Sequence, residues 1–137
     1  MVNSELASTG ARQAARGRRP DIGQRSLTYA LRAIKLYQFL QSQKNGAAWI
    51  VGKQYLRSAT SIGASIEESQ ASESRADFIH KLGIAQKEAR ESLYWLRLLS
   101  EGGIVAKRRI EHLMQETNEL VAIITAIIVN CKRRRAR

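Results

Sequence analysis

Between Phe78 and Leu99, small or apolar residues follow one another at alternating steps of four and three: Phe78, Leu82, Ala85, Ala89, Ser92, Leu96 and Leu99. Such a repeat lies along one face of an α-helix and of no other regular structure. A second stripe runs beside it through Ile84, Glu88, Glu91, Trp95 and Leu98, and Ile79 and Leu93 widen the apolar face. The helix therefore has two surfaces to cover. One faces its own core; the other, mixing carboxylates with Trp95, is the candidate contact with another subunit.

The remaining chain can be placed around this helix. From about Ile22, apolar residues Leu27, Ala30, Leu31, Ile34, Tyr37 and Leu40 recur at helical spacing, with Arg25, Arg32 and Lys35 expected on the opposite face. The polar stretch 42–46 carries Asn-Gly turn chemistry. A second helix is predicted from about Ala47 to Gln70, buried along Val51, Tyr55, Ala59, Ile62 and Ile66. Gly63 would cost an isolated helix about 1 kcal/mol relative to alanine, so its presence among Ser58, Ser61, Ala64 and Ser65 points to a close helix approach.

Ser74 with Asp77 three positions on has the pattern of an N-terminal capping box, and Gly102–Gly103 suits a helix C-cap. The last helix is predicted over about Ala106 to Cys131, with Ile110, Leu113, Thr117, Leu120, Ile124, Ile127 and Cys131 inside. Its final turns are apolar almost all round, which asks for covering protein. Four helices with short turns give an all-α, up-down-up-down four-helix bundle over residues 21–131. It is flanked by a basic segment 1–20 expected to be disordered and a basic tail 132–137.

Charge limits the partners. The formal net charge is +11 over 137 residues, and both ends are basic. That balance favours a polyanion. The candidate nucleic-acid contacts are Arg12, Arg16, Arg18, Arg19, Arg25, Lys132, Arg133, Arg134, Arg135 and Arg137, with Lys107, Arg108 and Arg109 forming a separate patch at the opposite pole. Cations oppose the dipole at a helix start, which makes that second patch unusual as a bare surface. No helix-turn-helix, zinc-finger or RNA-recognition motif is present, so such contacts would be to phosphates and not sequence-selective.

Catalysis has little support. A di-iron bundle needs a Glu-x-x-His on each of two helices, whereas this chain has Asp77 and His80 alone at that spacing. Phosphate-loop, dinucleotide and hydrolase motifs are missing, so no catalytic, metal or cofactor-binding residue is assigned. A single Cys131 excludes an intrachain disulfide, and the near-continuous apolar run 120–129 is too short for the ~20 residues of a membrane span. With no signal-peptide pattern, the expected location is the cytoplasm.

The stretches RSATSIGASIEES and ESRADFIHKLGIAQKEARESLYWL resemble the bacterial four-helix-bundle family of proteins encoded by intervening sequences in 23S ribosomal RNA genes. The resemblance resides in Arg57, Ser58, Ser61, Ile62, Ile66 and Glu68, then Arg75, Asp77, Phe78, Leu82, Ile84, Ala85, Glu88 and Glu91, and covers about residues 24–131. Ser65 and Ser69 stand where the family commonly has Asn and Gly. The resemblance implies a homopentamer with a central channel and no established enzymatic activity. It extends to the basic pentameric accessory protein of diversity-generating retroelements, which implies nucleic acid and a reverse transcriptase as partners. Two readings stand side by side: an oligomeric protein that binds RNA or DNA electrostatically, and a structural protein-interaction scaffold without a nucleic-acid role.

Overall fold

The computed structural model describes residues 21–136, with side chains through Arg134. The segment 1–20, expected to be disordered, and Arg137 lie outside the described residues. Among the described residues there are four helices and no strand: α1 Ile22–Gln41, α2 Gly46–Gln70, α3 Arg75–Glu101 and α4 Lys107–Ala136.

Local chemistry starts three of them. The Asp21 side chain accepts from Gly23 N, Asn45 accepts from Ala47 N and Ala48 N, and Ser74 accepts from Asp77 N. Each satisfies backbone donors that the first turn leaves over. At the end of α3, Gly103 takes a φ of +70°, the left-handed conformation expected of the glycine pair. The amides of Ile104 and Val105 then return to the Leu99 carbonyl, both at 3.0 Å.

Consecutive helices pack side by side, α1 on α2, α2 on α3 and α3 on α4, and α4 closes the ring against α1 along a thinner seam. The core follows the predicted stripe of α3: Leu82, Ala85, Ala89, Ser92, Leu96 and Leu99 are all buried. From α2 come Tyr55, Ala59, Ile62 and Ile66, with Val51 packed at the edge. Gly63 is the close approach the sequence called for. A Cβ there would meet the Ser26 side chain of α1 at 3.3 Å, tighter than ordinary contact.

Three expectations are corrected. In α1 the buried residues are Ser26, Tyr29, Ala33, Leu36 and Leu40, while Leu27, Leu31 and Ile34 are 53%, 54% and 38% exposed. Apolar residues occupy two stripes of this helix, and the one that carries the small Ser26 packs closely against Gly63 of α2. Arg25, Arg32 and Lys35 share the face opposite that exposed stripe, on the side of α4: Arg25 pairs with Glu116, Arg32 is half-buried and Lys35 is exposed. At the far end of α4 the buried position is Ile128, with Ile127 and Cys131 half-buried. The helix itself runs on through Ala136, so the basic residues from Lys132 continue α4.

The centre of the bundle is a hydrogen-bonded layer drawn from all four helices. Tyr55 donates to the Tyr29 hydroxyl at 3.0 Å, the Tyr29 and Thr117 hydroxyls are 2.7 Å apart, and Thr117 donates to the Leu113 carbonyl at 2.6 Å. Beside it, the Ser58 and Ser92 hydroxyls are 2.8 Å apart. The two tyrosine rings meet edge to face, 6.5 Å between centroids. Burial pushes both tyrosine hydroxyls above their ordinary pKa, Tyr55 the further. Because a shifted helix would strand these groups without partners, the layer fixes the register of the four helices.

Candidate nucleic-acid interface

The cations chosen from the sequence fall into three environments. Arg25 lies across the α1–α4 seam, its guanidinium 2.9 Å from Glu116 and 2.6 Å from Glu119. Hydrogen bonding to Glu116, the larger effect, and then to Glu119 outweighs desolvation and raises its pKa further. Its charge is spent inside the chain, holding two helices together. A sequence signal for this existed in the i, i+3 carboxylates of α4, but nothing local tied them to a residue some ninety positions earlier.

Lys107, Arg108 and Arg109 form the first turn of α4, which contains no acidic residue. The preceding Ala106 offers no side-chain acceptor to its amides. The Arg109 guanidinium sits over the Phe39 ring of α1, 3.9 Å from the centroid. Around this stack opens a groove of about 320 Å³ lined by Arg32, Lys35, Leu36, Phe39, Arg109 and Leu113. Arg32 and Lys35 thus join the candidate site, where the sequence reading had not placed them. They share one face of α1 at i, i+3 spacing, but their neighbour Arg109 comes from the other end of the chain.

Lys132, Arg133 and Arg134 are exposed on the last turns of α4. At 1.5 Å per residue they stand about 35 Å from Arg109, so α4 carries a basic patch at each pole. Arg135 belongs to the same last turns. Arg12, Arg16, Arg18, Arg19 and Arg137 lie outside the described residues.

The candidate subunit face on α3 is half-buried at Ile84, Glu88, Glu91 and Trp95 and exposed at Leu98. Part of it is engaged within the chain. Arg57 of α2 donates to Glu91 at 2.9 Å, and the Trp95 ring N–H donates to the same carboxylate oxygen at 3.2 Å. Glu88 differs: one of its oxygens is buried without a hydrogen-bond partner. Burial first, and the neighbouring Glu91 carboxylate second, raise its pKa.

Among the described residues no three of His, Cys, Asp or Glu converge on a position for a metal ion. No helix of these residues is long and apolar enough to cross a membrane.

A family model described as 23S rRNA-intervening sequence protein matches residues 18–126. The chain belongs to this family. A solved relative of this intervening-sequence family member is a protein with unknown function from the S23 ribosomal protein family of Bacteroides thetaiotaomicron. It is 41% identical, with a TM-score of 0.74, and the match covers 79% of this chain and 98% of that one. No functionally curated protein matches the chain. The resemblance read from residues 57–69 and 73–96 is thus confirmed at the level of family and helical fold.

Proposed function

We propose that this intervening-sequence family member is a non-enzymatic, oligomeric bundle that binds RNA or DNA through backbone phosphates, as accessory to a nucleic-acid enzyme such as a reverse transcriptase. The observation that carries the reading is the clustering of unpaired cations at the two ends of α4. Where cations serve the fold they are matched by carboxylates, as at Arg25 and Arg57. At the two ends of α4, Lys107, Arg108 and Lys132 to Arg134 are exposed, and among the described residues no carboxylate stands within ion-pair distance of them. Cations left unmatched in a chain of +11 attract a polyanion by releasing its counterions, without reading sequence.

Oligomerisation is supported by apolar surface that one bundle leaves outside. Leu27, Leu31 and Ile34 form a stripe on α1, and Trp49 and Ile50 add exposed area at the start of α2. Five copies, the number implied by family resemblance, would pool the basic ends of every α4. The same stripe suits a scaffold that gathers other proteins, which is the competing reading.

Fluorescence anisotropy of labelled single-stranded and duplex oligonucleotides across a salt series tests the proposal. The full chain should bind both with little sequence preference and lose affinity steeply with salt. Deleting residues 1–20 and 132–137 should weaken binding and flatten the slope. Absence of binding by the full chain at low salt favours the scaffold.

A further inference from the structure

We infer that the groove between α1 and α4, lined by Arg32, Lys35 and Arg109 with Phe39 beneath the guanidinium, seats backbone phosphate of the bound nucleic acid. The inference rests on the nucleic-acid reading and goes further by naming where the strand is held. Three features of the groove converge on it.

The first is a concentration of unmatched charge. Among the described residues no carboxylate lies within ion-pair distance of Arg32, Lys35 or Arg109. The groove also opens beside the first turn of α4, where the helix dipole adds positive potential to Lys107 and Arg108. Three like charges brought together by two helices raise the energy of the empty protein, and an anion relieves it.

The second is preorganisation. Arg109 stacks on Phe39 at 3.9 Å, which restrains a long side chain before any ligand arrives. Less rotamer freedom is then lost when its N–H groups engage phosphate oxygens, for which the planar fork is suited.

The third is what the groove lacks. Besides the cations its lining is Leu36, Phe39 and Leu113, and it contains no side-chain acceptor. Such a surface offers only donors, which suits the charged oxygens of phosphate, and it has no acceptor for the amino groups of adenine, cytosine or guanine. Its volume of about 320 Å³ is at the small end of ligand pockets, sufficient for a short length of backbone.

The test compares two full-chain triple variants that remove equal charge. One is Arg32→Gln, Lys35→Gln, Arg109→Gln; the other is Lys53→Gln, Lys87→Gln, Arg90→Gln, at exposed positions elsewhere. A labelled single-stranded RNA is titrated at several salt concentrations, with a circular dichroism melt to verify folding. The groove variant should reduce the log–log salt slope by about 2, the loss of three single-strand phosphate contacts. The distal variant should leave the slope nearly unchanged. Arg109→Lys, which keeps the charge and loses the planar stack, should weaken binding several-fold.

Equal loss from the two triple variants would overturn the groove while leaving nucleic-acid binding intact. No binding by the unaltered chain would remove the nucleic-acid reading and the groove with it. Competition by poly-glutamate as effective as that by unlabelled RNA would also overturn the inference, in favour of an acidic protein ligand.

Discussion

The Tyr29 hydroxyl stands 2.7 Å from that of Thr117, joining α1 to α4 in the buried centre of the bundle. Tyr55 donates to the same Tyr29 oxygen, so Tyr29 is the middle member of a chain. Tyr29→Phe removes that oxygen, leaves the buried Tyr55 donor unpaired, and should cost about 1–3 kcal/mol in urea denaturation. Adding Tyr55→Phe deletes the orphaned donor. The double variant should therefore lose less than the sum of the two single losses, a non-additivity that independent sites would not show.

Leu96 and Leu31 distinguish the inside of one bundle from the surface left over. Leu96 is wholly buried, and Leu96→Ala should cost about 2–5 kcal/mol in unfolding free energy. Leu31 is 54% exposed in the single chain. Leu31→Asp should leave the helical circular dichroism spectrum intact and reduce the mass in solution. An unchanged mass would free the α1 stripe from any subunit contact.

The first turn of α4 places cations where the helix dipole disfavours them. Lys107→Glu or Arg108→Glu should stabilise the protein by about 0.3–1 kcal/mol at low ionic strength, and the gain should fade with added salt. Oligonucleotide binding should weaken in the same variants. Higher melting temperature with lower affinity is the expected signature of a ligand-facing charge kept at some expense to the fold.

Glu88 gives a pH dependence of known sign. Its folded-state pKa is raised, so the folded chain holds this proton more tightly than the unfolded chain does. The carboxyl is without penalty below the ordinary glutamate pKa, and stability falls as pH rises through the raised one. Glu88→Gln should therefore be more stable than the unaltered chain near neutrality, and the two should converge in acid. Thermal melts across that range check it; a difference that persists unchanged in acid would assign the effect to something other than ionisation.

How legible each part was depended on how many ways a segment could be turned. The α3 seam from Leu82 to Leu99 was readable because one stripe of that helix is clearly smaller and more apolar than its surroundings. In α1 two stripes compete, and the buried one carries Ser26, which faces Gly63 of α2, a pairing that α1 alone does not reveal. The end of α4 is apolar almost all round, so Ile127 and Ile128 were indistinguishable until the neighbouring helices were placed. At the site, Lys107 to Arg109 stood out as a run, whereas Arg32 and Lys35 acquire meaning only once α4 is laid beside α1. Arg25 stands among the candidate phosphate contacts in the sequence because its partners Glu116 and Glu119 are far away in the chain.

The proposed assembly requires that the apolar surface a single bundle leaves outside, along Leu27, Leu31 and Ile34, be covered by further copies that bring their basic ends together. Light scattering after size exclusion measures this directly. A mass several times the 15.4 kDa of one chain, near five copies, is the predicted result. A stable species at 15.4 kDa would contradict it.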